Sequence, residues 1–238
     1  MDKNYRISYK VYPNDRLKKV DFHGKSVFPL YIQLTFNRKT TYYKSSLFAL
    51  FIKPKYRLWS GDKIIGPTLQ TVKAKESELI QFIIEKHTND FSLEIFKKDY
   101  DFYSYDLLDV MERPFLDYLH SFFHTEGMPF LADTLKAGAE DRVINEVIVD
   151  LQKALKPALY DKLIAYSLTA APPYPLLYGF AAHRHPEQPA SFTFKDWEQE
   201  EVKAAFLEYV SSTSPERNLP ELKKEIEKWR KTFRVASR

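Results

Sequence analysis

Cysteine is absent from this 238-residue chain. Its absence excludes a disulfide scaffold, a zinc site built on thiolates, and a cysteine nucleophile. Glycine is scarce, at 6 residues, and no glycine-rich loop is present to cradle a phosphate with backbone N–H groups. A Gly-x-Ser-x-Gly elbow is also missing. No stretch approaches the ~18 consecutive apolar residues that a membrane-spanning helix needs. The opening MDKNYRISYK has no apolar segment of the kind a signal peptide carries. The expectation is a cytoplasmic protein with no membrane contact, no cofactor and no catalytic residue. Carboxylate groups such as Asp106/Asp109 and Glu198/Glu200/Glu201 read as solvated helix faces.

Aromatic residues are abundant: 16 Tyr, 18 Phe and 3 Trp. Most should fill cores, but aromatics also offer surfaces on which bases and partner proteins stack. The net charge of +4 conceals an uneven distribution. Residues 1–75 hold 16 Lys and Arg against 4 Asp and Glu, and the remainder holds 20 against 28. A segment this basic attracts polyanions, unless it pairs with the acidic remainder of its own chain.

The early chain reads as strands. Residues 7–12 alternate as a short strand ending at Pro13-Asn14-Asp15. In residues 27–36, Leu30, Ile32, Leu34 and Phe36 share one face at period two, and Tyr31, Gln33 and Thr35 share the other. Asn37-Arg38-Lys39 reads as a hairpin loop and residues 40–45 as the returning strand. Residues 47–52 are a third apolar run, stopped by Pro54. A helix capped by Thr68 or Thr71 and running to His87 should cover this sheet, with Val72, Leu79, Phe82 and Ile83 on its stripe.

Later residues are helical in texture. Residues 92–96 read as one helical turn. Residues 106–124 are periodic, broken or restarted at Pro114, and Gly127 stops them. Residues 141–155 form an amphipathic helix, and Pro157 opens another to about residue 170. The prolines after residue 171 read as an extended segment and a long loop, 171–190. Asp196 should cap a helix to about residue 211, followed by a linker to Pro215. Pro220 opens a last helix carrying Leu222, Ile226, Trp229 and Phe233. The fold class is α+β: a three-stranded antiparallel sheet packed on a helix, then a mostly helical domain. The expected divisions are 1–90, 91–211 and 212–238.

Residues 24–61 carry a pattern: Gly24, then Pro29-Leu-Tyr-Ile-Gln-Leu-Thr-Phe-Asn-Arg-Lys39, a β-run ending near Ser45-Ser46, then Trp59 ahead of a helix. With that helix, to about residue 90, it resembles the N-terminal arm-type DNA-binding domain of tyrosine recombinases from Bacteroidetes mobile elements. That resemblance implies a three-stranded sheet entering the major groove of DNA. It assigns DNA contact to Tyr31, Gln33, Thr35, Arg38, Lys39, Tyr42 and Lys44. The nearby cations Lys53, Lys55 and Arg57 extend the basic segment and are expected to contact DNA as well. The recombinase catalytic domain is not matched. His183-Arg184-His185 lacks its His-x-x-Arg spacing, and no tyrosine stands in a nucleophile context, so no strand cleavage is expected.

Two features remain. His120 and His124 are four apart on a helix and can face one way, so a third ligand would make a metal site. The alternative is two amphipathic histidines with no metal, and Ser121 stands where the usual zinc motif has Glu. The last helix surrounds its apolar stripe with cations including Lys224, Lys228, Lys231 and Arg234. With Trp229 it reads as a helix docked on the body or as a contact for DNA or a protein. The leading expectation is a non-catalytic DNA-binding protein linked to a bacterial mobile element or related genome-associated system. The alternatives are a protein-interaction subunit using the 172–189 loop and last helix, and a hydrolase built on His120 and His124.

Overall fold

A computed structural model of the chain describes residues 7–139 and 142–236, with side chains through Lys231. Two compact units divide it, Met1–Ser104 and Tyr105–Arg238. The first contains β1 (Ser8–Pro13), β2 (Val20–Phe22), β3 (Lys25–Val27), β4 (Leu30–Phe36), β5 (Lys39–Lys44) and α1 (Ser46–Phe51). After a 3-10 turn (Pro54–Tyr56) come β6 (Leu58–Ser60), β7 (Lys63–Gly66), α2 (Leu69–Lys86) and α3 (Leu93–Tyr103). β1, β4 and β5 form an antiparallel sheet in the order β1-β4-β5, and β2–β3 and β6–β7 are separate hairpins.

The alternation of β4 sets the sheet's two faces. Leu30, Ile32 and Leu34 are buried. On the same face, Tyr9 of β1 reaches the Ser77 carbonyl of α2, and Tyr43 of β5 packs on Phe96 of α3. Phe36 meets Phe91 edge-on just ahead of α3. α2 is capped by Thr68, whose side chain accepts the Thr71 N–H, and it buries Val72, Leu79, Ile80 and Ile83.

The apolar run at 47–52 is helix rather than strand through Phe51, with Ile52 as its C-cap. Ser45 ends β5 and caps α1 by accepting the Phe48 N–H at 2.9 Å. That cap satisfies an orphan donor of a helix, and the short run then buries Leu47, Phe48, Leu50 and Phe51. The third strand of the sheet is therefore β1. α3 extends well beyond the single turn expected at 92–96 and stacks Phe96 on Tyr100.

A buried polar knot sits at the β5–α1 junction. Glu76 of α2 is fully buried and accepts the Ser45 hydroxyl. Tyr100 accepts the Ser46 N–H at 2.7 Å. Burial pushes the Glu76 carboxyl above its ordinary pKa, against opposing hydrogen bonds from Ser45 and Tyr100.

At the end of α2, His87 places Nε2 2.8 Å from Asp99 of α3 and Nδ1 3.1 Å from Asp90. The Asp99 hydrogen bond is the main cause of a raised imidazole pKa, opposed by partial burial. Its stabilisation is fully present below the unfolded value near 6.5 and is lost as pH rises through the higher folded value. Thermal melts across pH 5–9 should show wild type losing more Tm above pH 6.5 than His87→Gln. Parallel curves would refute this linkage.

The second unit contains α4 (Leu107–Thr125), α5 (Pro129–Gly138), α6 (Ile144–Ala154), α7 (Pro157–Ala170), α8 (Tyr174–Arg184), α9 (Phe194–Glu198), α10 (Glu200–Thr213) and α11 (Leu219–Ala236). α4 runs unbroken through Pro114 because buried Met111, Phe115 and Leu116 hold both sides of it. Asp106 is a buried cap rather than a solvated group: it accepts the N–H groups of Leu108 at 2.9 Å and Phe192 at 3.1 Å. Glu112 accepts from Tyr174 at 2.9 Å and from the Ile144 N–H at 3.2 Å, tying α8 and the start of α6 to α4.

Residues 174–184, expected as loop, are α8. Pro175 lies in its first turn, where a missing N–H costs no helical bond. Tyr174, Leu177, Phe180 and Ala181 are buried. Thr193, not Asp196, caps α9. Asp196 answers from the third helical position in a reciprocal capping box. α10 continues to Thr213, through most of the expected linker. Phe192, Trp197 and Phe206 make an aromatic core.

Candidate nucleic-acid interface

Strand register places nine side chains on the open face of the first unit's sheet. They form three cross-strand rows: Ser8–Thr35–Thr40, Lys10–Gln33–Tyr42 and Tyr12–Tyr31–Lys44. The face therefore holds two ammonium groups, three phenols, one amide and three hydroxyls, with no carboxylate among the nine. Thr35 and Thr40 share a 2.9 Å hydrogen bond across the strands. The Lys10 ammonium stands 5.8 Å from the centroid of the Tyr12 ring. Tyr42 is 58 % exposed.

The β4–β5 hairpin adds two further cations at one end. Phe36 pairs with Lys39, leaving Asn37 and Arg38 as a two-residue loop. Both loop residues adopt positive φ, 49° and 62°, as the twist of such a tight hairpin requires. Arginine in this left-handed region costs about 1–2 kcal/mol relative to its usual conformations. Asn37, Arg38 and Lys39 are all exposed. Among the described residues, Lys10, Arg38, Lys39 and Lys44 have no ion-pair partner.

The sequence-derived residues Tyr31, Gln33, Thr35, Tyr42 and Lys44 thus lie together, and Arg38 and Lys39 cap the same strands. Lys53, Lys55 and Arg57 lie off the sheet, on and around the 3-10 turn after α1. Lys55 covers the Tyr56 ring at 5.6 Å, and the Arg57 Nε is buried without a hydrogen-bond partner. Sequence reasoning missed Lys10 and Tyr12. Their alternation in β1 was visible, but their place beside Gln33 and Tyr31 depends on a pairing between distant segments. Trp59 of the β6–β7 hairpin is a further exposed aromatic of this unit, at 57 %.

His23 is the unit's other chemically notable side chain. It is buried in the β2–β3 turn, and its Nε2 lies 2.6 Å from the Phe51 carbonyl. Burial lowers its pKa, with the nearby Arg57 adding to the effect. A neutral imidazole donating through Nε2 fits a structural tie between the hairpin and α1.

In the second unit, α11 buries Leu222 and Ile226 and leaves Trp229 half-buried. Arg230 pairs with Glu198 and, at 3.2 Å, with Glu227. Lys223, Lys224, Lys228 and Lys231 line a shallow surface groove with Pro220 and Glu227. The side chains of Phe233 and Arg234 lie outside the described residues. His120 and His124 do share one side of α4, with ring centroids 4.8 Å apart. His183 lies near Tyr209, with ring centroids 5.7 Å apart.

No protein-family model, curated protein or solved structure matches the chain. No helix among the described residues is long and apolar enough to cross a membrane.

Proposed function

We propose that the first unit binds double-stranded DNA through the open face of its β1-β4-β5 sheet, without cleaving it. The carrying observation is the nine-residue face, free of carboxylates and flanked by Arg38 and Lys39. A β-ribbon fits the major groove of B-form DNA. Lysine and arginine hold phosphates and fix register, while Gln33 and the hydroxyls of Thr35 and Thr40 can meet base edges. Tyr31 and Tyr42 contribute flat, partly polar contact area. The resemblance of residues 24–90 to recombinase arm-type domains supports the same mode and suggests a mobile element or related genome-associated setting. The four lysines of α11 offer a second basic strip for DNA or a protein partner.

Duplex binding read by fluorescence anisotropy at several salt concentrations tests this proposal. Four phosphate contacts predict a slope of log K against log salt of roughly −3.6. Arg38→Ala/Lys39→Ala should weaken binding by about tenfold or more and reduce the slope by about 2. Arg38→Gly separates binding from folding. It relieves the left-handed strain, stabilising the unit by about 1 kcal/mol, yet should lower duplex affinity. Unchanged affinity in both variants would exclude the sheet as the contact surface.

A further inference from the structure

The end of α4 and the middle of α5 bring three metal-ligating side chains together. His120 and His124 stand one helical turn apart near the C-terminus of α4. The chain then turns at Gly127, whose φ is +76°, and Pro129 opens α5. Asp133 on α5 comes within 3.1 Å of the His120 Nε2 and 3.8 Å of the His124 Nε2 through the same oxygen, Oδ1. The three donor atoms all lie within 4.8 Å of one another. Donors bound to one tetrahedral zinc ion at 2.0–2.1 Å are spaced roughly 3.3 Å apart. The two separations from Asp133 fall on either side of that spacing.

The neighbouring charges favour the same reading. Asp117, one turn before His120, is paired with Lys136 at 3.4 Å. Glu126, just past His124, is paired with Lys162 at 2.5 Å. Asp133 is thus the carboxylate directed at the imidazoles. The C-terminal end of a long helix adds a partial negative charge that favours a cation. Two imidazoles and a carboxylate suit a first-row transition ion better than Mg2+ or Ca2+, which take oxygen ligands.

We propose that His120 Nε2, His124 Nε2 and Asp133 bind one divalent first-row transition ion, such as Zn2+, Co2+ or Ni2+. His124 and Asp133 are substantially exposed, so the remaining coordination positions face solvent and take water or an anionic oxygen. The ion joins the two helices across their turn and stabilises the folded unit through binding. This site is independent of the DNA-binding proposal, since it uses none of the sheet residues.

The test uses tag-free, chelator-stripped full-length protein. Co2+ should give visible d–d absorption saturating at one equivalent, Zn2+ should bleach it, and excess Mg2+ should not. Zn2+ should raise the Tm. Asp133→Ala and His124→Gln should each weaken Co2+ binding by about tenfold or more, and His120→Ala/His124→Ala should abolish it. His183→Ala/His185→Ala should bind as wild type. Melting in chelator reports the fold of each variant separately, and these partly exposed positions should leave it unchanged. A wild type without the Co2+ spectrum, or a His120→Ala/His124→Ala protein that retains it, overturns the site.

Discussion

Replacing Trp197 with alanine is expected to destabilise the second unit by about 3–5 kcal/mol, the range for truncating a large buried aromatic. Trp197 is fully buried. Its ring meets Phe192 and Phe206 edge-on, at 6.1 and 5.7 Å between centroids. Its Nε1–H donates to Glu227 of α11 at 2.7 Å. Truncation opens a cavity between α9 and α10 and removes the donor that fixes Glu227, which also pairs with Arg230. Against an ordinary stability of about 5–15 kcal/mol, that loss is a third or more of the whole at mid-range. Trp197→Phe keeps most of the packing and loses the hydrogen bond, so about 1–2 kcal/mol is expected. Urea unfolding followed by far-UV circular dichroism measures both. A loss below about 1 kcal/mol for the alanine variant would contradict this account of the core.

Glu76→Ala is expected to destabilise the first unit by about 3 kcal/mol at pH 5. The loss combines a broken buried hydrogen bond, a Ser45 hydroxyl left without its acceptor, and a small cavity. Glu76→Gln separates charge from contact, because its amide oxygen can still accept the Ser45 hydroxyl. Burial raises the folded carboxyl above the ordinary value of 4.5. In the window between those values the folded protein holds a proton that the unfolded chain has released, so stability falls as pH rises. Glu76→Gln should abolish that fall and lie above wild type at the alkaline end of the window. Denaturant titrations from pH 4 to 8 decide it, and equal pH slopes in the two proteins would refute a buried, protonated Glu76.

The two faces of β4 were legible in the sequence because period-two alternation over residues 30–36 leaves no other way to bury the apolar set. Thr68 and Pro157 marked helix starts for local reasons, and both stand where expected. Residues 47–52 were misread because a short apolar run carries no period. The Ser45 cap and the burial of Leu47, Phe48, Leu50 and Phe51 together favour the helix. α8 was hidden by its own prolines, which suit a helix start as well as a loop. At the sheet, Tyr31, Gln33 and Thr35 followed from β4 alone, whereas Lys10 and Tyr12 needed the β1–β4 register. Asp133 was likewise out of reach, since its approach to His120 depends on how α5 turns back beside α4.

β1 and β5 are the outer strands of the first unit's sheet, and Lys10, Lys39 and Lys44 lie on them. Outer strands present unpaired backbone groups to which another copy of the chain could add, and lysines there oppose such growth by mutual repulsion. The same ammonium groups therefore act as guards against self-association. A chain stripped of these charges would become more prone to stack edge to edge, and a bound polyanion would have to leave enough repulsion in place to keep neighbouring sheets apart.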